Sequence, residues 1–315
     1  MALVAPAAGF DLQGHRGARG LAPENTLVGF ATALTIGVTT LELDTGISAD
    51  GVVVISHDRR LKADKVRLPS GGFLAEDGPP LRELKLAELR TYRLSGYRPG
   101  SRDAERFPDV AEAPDQTIPT LDELRALLET AEAAEVRLNI ETKLSPMAPA
   151  ETVDPDTFAE TLVATLRRTG LNGRATVQSF DWRTLQAVQR LAPEIPTAYL
   201  SIETEDFDTI RRGETGASPW TAGFDIDAYD GLPAMIKDAG GDVWSPYFRN
   251  LTPEKVLAAQ AMGLQVIPWT VNSPPDMERL IDMEVDGLIT DYPDRLRAVL
   301  YRRGMALPEP MPVAP

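Results

Sequence analysis

Only two histidines occur in the 315 residues, and both stand where an apolar run gives way to a turn: His15 in LQGHRGARG and His57 in VVVISHD. Imidazole changes charge near neutral pH, so a pair of them can take and give a proton in one reaction. A lone histidine is usually a satisfied core residue; two out of two at strand-to-loop junctions point to shared chemistry. Carboxylates stand nearby at alternate positions, Glu42 with Asp44 in LELD and Glu141 with Lys143 in NIETK. Residues i and i+2 of a strand share a face. On an antiparallel strand that alternation would mark only a wetted face. In a parallel barrel, covered outside and packed inside, acids at strand ends have to face the mouth.

Three carboxylates in one mouth repel one another unless a cation joins them. The chain has no cysteine and no histidine to spare, so the donors are all oxygen. Such a set suits one hard divalent ion, Mg2+ or Ca2+, rather than Zn2+; structural salt bridges are the plainer alternative. Arg16 and Lys143 add cations suited to phosphate oxygens. Two imidazoles, three carboxylates with a cation, an arginine and a lysine fit phosphoryl transfer without a cysteine nucleophile or a serine triad.

The elements that must position these groups alternate along the chain. Strand-like runs are FDLQG, TTLELD with VVVISH, RLNIET, ATVQSF, PTAYLSI, DVWSPYF, QVIPWTV and DGLITD. Between them lie helical windows. Leu27, Phe30, Ala31 and Leu34 recur at helical spacing after an Asn25/Thr26 capping signal and stop at Gly37, and further helices are expected from near Leu121, Asp156, Trp182, Pro253, Pro275 and Asp294. Eight strand positions alternating with helices predict an α/β fold, a (β/α)8 TIM barrel. Residues 59–118 break the rhythm and predict an insertion between the second strand unit and the next helix, lying over the mouth of a single domain spanning 1–315. That segment carries 12 Lys+Arg against 10 Asp+Glu, so it is the least acidic part of the chain; chance arginines on a solvated loop explain this as well as a grip on an anion does. Residues 203–241 read as a long βα loop, and the Pro-rich tail ALPEPMPVAP as frayed.

A net charge of -15 argues against a broad nucleic-acid or anionic-membrane surface, so an anionic ligand needs a local positive field. No apolar run reaches the ~18 to 20 residues that cross a bilayer, which argues against stable membrane insertion. The opening MALVAPAAGF fits a cytoplasmic N-terminus or the trimmed end of a signal peptide of a periplasmic or secreted protein. Oligomeric state leaves no mark in the sequence.

Taken in order, HRGARGLAPENT, ELDTGISADGVVVISHD, IPTLDEL, NIETK, VQSF, PWTVN and DGLITDYP resemble the glycerophosphodiester phosphodiesterase family. The likeness runs through roughly residues 12 to 295, the interior of 59–118 and the loop 203–241 excepted. HRG alone is weak; HRG-x(5)-PENT followed by E-x-D and DG-x(5)-HD is specific. The resemblance implies a TIM barrel with one divalent metal that hydrolyses glycerophosphodiesters, such as glycerophosphocholine or glycerophosphoethanolamine, to glycerol 3-phosphate and an alcohol. It implies Glu42, Asp44 and Glu141 as metal ligands, and His15 and His57 as the acid/base pair acting through a cyclic phosphate. Arg16 and Lys143 match its phosphate-contacting residues, and Trp269 its pocket aromatic beside the glycerol. Asn25, Gln178 and Asp291 fall at suggestive places, with a helix cap explaining Asn25 equally well. A lysophospholipase D or sphingomyelinase-D-like phosphodiesterase on the same barrel is the alternative enzyme; a non-catalytic glycerophosphodiester-binding protein is the alternative of another class.

Overall fold

Along four strand segments polar and apolar residues alternate, and that alternation decides what fills the protein's centre. The computed structural model describes residues 9–314, so most of the N-terminal stretch with its two readings lies outside the described residues. The strands are β1 (Asp11–Gly14), β2 (Thr40–Ile47), β3 (Val53–Ile55), β4 (Arg137–Thr142), β5 (Ala175–Ser179), β6 (Thr197–Ser201), β7 (Val243–Pro246), β8 (Gln265–Val266) and β9 (Gly287–Thr290). All but β3 run parallel, in the order β8-β7-β6-β5-β4-β2-β1-β9. Backbone hydrogen bonds from Asp286 N–H to the Val266 carbonyl and from Ile289 N–H to the Pro268 carbonyl, each 3.0 Å, draw the two edges together into a nearly closed barrel. β3 stands outside this path, antiparallel to the far end of β2.

Leu12, Leu41, Leu43, Leu138, Ile140 and Val177 point outward and are fully buried against the helices. Each contributes roughly 1.5–3 kcal/mol by leaving water. Their alternate neighbours Gln13, Glu42, Asp44, Asn139, Glu141 and Gln178 are equally buried but face the lumen. The opposite wall of the lumen is apolar, a small cluster of Ala198, Val243, Ile267 and Ile289 with Trp269 against it. The barrel interior is thus polar on the β1, β2, β4 and β5 side and apolar on the other.

The longer helices are α1 (Leu27–Ile36), α4 (Leu121–Thr130), α5 (Pro155–Thr169), α6 (Trp182–Leu191), α7 (Leu232–Asp238), α8 (Pro253–Ala261), α9 (Pro274–Asp282) and α10 (Pro293–Arg302). Apart from α7, their starts fall within a residue of the expected ones, and at most of them capping chemistry sets the start. The Thr26 hydroxyl accepts from Gly29 N–H, and Thr120 with Glu123 forms a capping box. Three expectations are corrected. The tail read as frayed packs on the barrel, with Met311 N–H on the Leu34 carbonyl at 2.8 Å and Leu307, Met311 and Val313 against the core. The stretch read as a loop from 203 to 241 contains α7, whose Leu232, Met235 and Ile236 are buried after a Pro at its first turn. The run QVIPWTV yields only a two-residue β8, because Pro268 has no N–H to offer a ladder.

Residues 59–118 hold two short helices, α2 (Leu86–Leu89) and α3 (Arg102–Arg106), and a separate small core. Leu61, Val66, Leu81, Leu89 and Ile118 pack there on Val54 of β3.

The turn from β1 to α1 depends on Gly17, which has φ +86° and whose Cβ, if added, would lie 2.6 Å from the Gly29 carbonyl carbon. Gly17→Ala is expected to lower stability by more than ~1 kcal/mol, measured by chemical denaturation, since neither the backbone angle nor the space admits a side chain. Unchanged stability would show that this turn can reshape.

Candidate active site

The site is built around the turn that follows β1. His15 continues the β1 ladder by donating its N–H to the Thr290 carbonyl at 2.9 Å, after which Arg16 turns into the left-handed region at φ +50°. This conformation points the Arg16 N–H at Glu42 Oε2, 2.8 Å away. Of the three glycines in HRGARG and before it, only Gly17 needs positive φ; Gly14 and Gly20 are small because the Gly17 carbonyl and the Tyr292 ring press on them. Asn25 is no helix cap. Its amide donates to Asp44 Oδ2 at 2.8 Å, its Oδ1 accepts from the Asp44 N–H at 3.2 Å, and Thr26 does the capping.

Glu42, Asp44 and Glu141 present oxygens within 4.8 Å of one another, all buried. Parallel register explains it: Asp44 is paired with Glu141 across β2 and β4, and Glu141 with Gln178 across β4 and β5. Burial and the nearby Asp44 charge push the Glu42 carboxyl well above its ordinary range, against the opposing Arg16 N–H. Burial likewise raises Glu141 to about 7 despite Lys143. Asp44 goes the other way: burial opposes ionisation, but Arg16 and Lys143 hold it well below the usual carboxylate range.

The donors around these acids are few and specific. Gln178 Nε2 donates to Glu42 Oε1 at 2.7 Å, and Lys143 Nζ to Glu141 Oε1 at 2.7 Å while standing 3.6 Å from Asp44 Oδ1. Asn139 ties the floor together, donating to Gln13 Oε1 at 2.8 Å and Gln178 Oε1 at 3.1 Å. Asp44 Oδ1 is buried without a hydrogen-bond partner. An anionic oxygen without a hydrogen bond amid three converging carboxylates is what a hard divalent cation would satisfy, and Glu42, Asp44 and Glu141 fit one.

His15 stands beside this cluster, its Nε2 3.9 Å from Glu42 Oε2. Its Nδ1 lies 2.5 Å from Asp291 Oδ1, and Asn272 donates to the other Asp291 oxygen at 2.6 Å. Burial pushes the Asp291 carboxyl up, but the His15 charge and the hydrogen bonds from His15 and Asn272 outweigh it and hold it at about 2. An ionised carboxylate only accepts, so it keeps the proton on His15 Nδ1 and leaves Nε2 as the basic nitrogen. Burial lowers the His15 pKa, with Arg16 adding to the effect against Asp291. His57 lies further out and is only partly buried. Its Nδ1 is 3.3 Å from Asp58 Oδ1, and burial with the charges of Arg16 and Lys143 brings it down to about 3. Both shifts favour the neutral imidazole.

Arg16 reaches two acids, its Nε 3.2 Å from Asp44 Oδ2 and its Nη1 3.0 Å from Glu24 Oε1. Trp269 stands on the apolar side of the mouth. Phe180, whose ring meets Trp269 edge-on at 5.3 Å, also lies 6.0 Å from Lys143 Nζ, so the aromatic wall adjoins the cationic one. The structure thus brings His15, Arg16, Glu42, Asp44, Glu141 and Lys143 into one cluster, with His57 and Trp269 on its rim. Sequence reasoning missed Glu24, Asn272 and Phe180. Each carried a signal: Glu24 lies in PENT, Asn272 closes PWTVN, and Phe180 stands two residues beyond Gln178 on the same face of the β5 run.

Residues 15–295 match the model of the glycerophosphoryl diester phosphodiesterase family. The chain is 26% identical to the glycerophosphodiester phosphodiesterase of Caldanaerobacter subterraneus subsp. tengcongensis, over 92% of this chain and 97% of that protein. Among solved structures it is similar to a protein of Silicibacter pomeroyi DSS-3, with TM-score 0.83, 35% identity, and 95% and 96% of the two chains covered. An Oleispira antarctica phosphodiesterase, solved with the product sn-glycerol-3-phosphate, shares the fold at TM-score 0.67 and 22% identity, over 93% of this chain and 97% of that one.

The unpaired Asp44 oxygen leads to a binding test that needs no substrate. Ca2+, Mg2+ or Mn2+ at a hundredfold excess over its dissociation constant is expected to stabilise the protein by ~2.7 kcal/mol, seen as a raised melting temperature that chelator reverses. Asp44→Asn is expected to abolish the shift. A flat melting temperature with all three ions in the parent protein would reject the assignment.

Proposed function

Because the chain belongs to the glycerophosphoryl diester phosphodiesterase family, we propose that it hydrolyses glycerophosphodiesters such as glycerophosphocholine or glycerophosphoethanolamine to sn-glycerol 3-phosphate and the free alcohol. The observation that carries this reading is the meeting of His15, the three acids and the two cations Arg16 and Lys143 at one end of the barrel. The product bound to the Oleispira antarctica protein supports the same substrate class.

In this reading one imidazole takes the proton of the glycerol 2-hydroxyl, which attacks phosphorus and forms a five-membered cyclic phosphate. The other, which enters the step as imidazolium because the anionic phosphodiester beside it favours the charged form, protonates the departing alcohol, and water then opens the ring with the two roles reversed. The attack is intramolecular, so it gains from proximity. Asp291 fixes the tautomer and the plane of His15, as Asp58 does less closely for His57. Arg16 and Lys143 orient the phosphate and offset the charge that grows on its non-bridging oxygens. Glu42, Asp44 and Glu141 would hold a divalent ion, which when bound would supply Lewis-acid stabilisation of that same charge. Trp269 and Phe180 exclude water on the apolar side, where the glycerol carbons pack.

Purified protein incubated with each diester, with and without chelator, is expected to release glycerol 3-phosphate, read by coupling to its dehydrogenase. His15→Ala and His57→Ala are each expected to lower kcat by ~10²-fold or more. Undiminished turnover in either variant would remove that histidine from the mechanism. Release of choline from lysophosphatidylcholine but not from the glycerol diester would instead make the protein a lysophospholipase D, and tight diester binding without turnover a binding protein.

Asp291→Asn tests the orienting pair by itself. Its amide can donate to His15 Nδ1 and favour the opposite tautomer, so kcat is expected to fall by about tenfold or more with little change in KM. Parent-like kcat would reduce Asp291 to a packing role.

A further inference from the structure

Lys65 belongs to the segment 59–118 and has no counterpart in the proposed mechanism, yet its side chain is only 15% exposed and its ammonium stands among three carboxylates. Nζ donates to Glu24 Oε1 at 2.8 Å and to Asp58 Oδ2 at 2.9 Å, with Asp103 Oδ2 at 3.6 Å. Each of the two nearer acids also touches a residue of the site, while Glu24 Oε2 is taken by Arg19 and by the Tyr97 hydroxyl at 3.0 Å. Glu24 Oε1 also accepts from Arg16 Nη1 at 3.0 Å, and Asp58 Oδ1 lies 3.3 Å from His57 Nδ1. Donor atoms of Glu24, His57 and Asp58 lie within 4.8 Å of one another, close enough for a metal ion. The space between the two carboxylates already holds the Lys65 ammonium.

We propose that Lys65 is a positioning residue: its ammonium stands in for a cation between Glu24 and Asp58, and through Asp58 it fixes the ring and tautomer of His57. Without it Glu24 keeps Arg16 and Arg19, but the partly buried Asp58 faces Glu24 with no counter-charge between them. Asp58 then has no reason to hold Oδ1 toward the imidazole, and His57 loses the partner that keeps its proton on Nδ1. The same lysine ties the 59–118 segment to the barrel, so the seating of that segment and the orientation of His57 become one event. Lys62, three residues earlier, is exposed and pairs with Asp77, so it does not duplicate this role.

The inference rests on His57 exchanging protons with the substrate, and its test separates the two. Because the chain has only two histidines, full-length protein labelled with 15N-histidine gives two resolvable imidazole spin systems. Near neutral pH the parent His57 is expected to show a protonated Nδ1. In Lys65→Met that signal is expected to move toward a mixture of tautomers, while His15, held by Asp291, stays in place. In the coupled assay Lys65→Met is expected to lower kcat by about tenfold or more with KM little changed, and Lys65→Arg to recover most of it. An unmoved His57 signal in a folded Lys65→Met protein would overturn the proposal. Should Lys65→Met not fold, Lys65→Met/Asp58→Asn removes a cation and an anion together and is compared with Asp58→Asn alone. Equal kcat is expected, since Lys65 acts through Asp58, and a further large loss would overturn the proposal. A parent protein that turns over no glycerophosphodiester would sink the functional reading instead, and the imidazole signals would still decide the role of Lys65.

Discussion

Three carboxylates held together in a buried mouth are the constraint from which the rest of the site follows. Like charges at this spacing cannot all ionise without help, and burial raises the cost of each. The protein answers with a different device at each acid. Glu42 takes a backbone N–H from Arg16 and an amide from Gln178, Asp44 is clasped by Asn25 and faces Arg16, and Glu141 takes the Lys143 ammonium. One Asp44 oxygen is left without a hydrogen bond, with Lys143 Nζ 3.6 Å away, and a divalent ion there would complete the balance.

These devices account for backbone features that would otherwise look arbitrary. The left-handed turn at Arg16 exists so that its N–H can face β2, and that turn in turn needs Gly17 behind it. The left-handed Asn25 closes the same loop, its N–H on the Arg16 carbonyl and its side chain on Asp44. The half-polar lumen serves the same end. Asp11, Gln13, Asn139 and Gln178 form a buried chain of hydrogen bonds that ends on Glu42, so the floor of the barrel sets the orientation of an acid at its mouth. The apolar half of the lumen needs no such chain and carries the aromatic wall.

Around this centre the histidines are treated unequally. His15 is rigidly paired with an ionised, fully buried Asp291, itself held by Asn272. His57 hangs from β3, outside the barrel path, with a longer contact to Asp58 and with the 59–118 segment behind it. One imidazole is part of the barrel; the other is set by a structure laid against it.

Much of this was legible along the chain, and for local reasons. Strand alternation placed Glu42 with Asp44 and Glu141 with Lys143 on shared faces, and capping residues set the helix starts, because period and caps act over a few residues. The barrel followed from the count of strand–helix units. The legible part ends where groups far apart in sequence meet. That Asp291 holds His15, 276 residues away, depends on β9 pairing with β1. That Asn25 serves Asp44 instead of a helix, and that the 203–241 stretch hides α7, depended on which of two local uses the packing favoured. Residue types and their spacing determined the chemistry available to this protein. Only the nearly closed parallel sheet decided which oxygens meet, which imidazole is fixed, and which lysine lies among the acids, since register between distant strands is a property of the packed sheet and is written in no single segment.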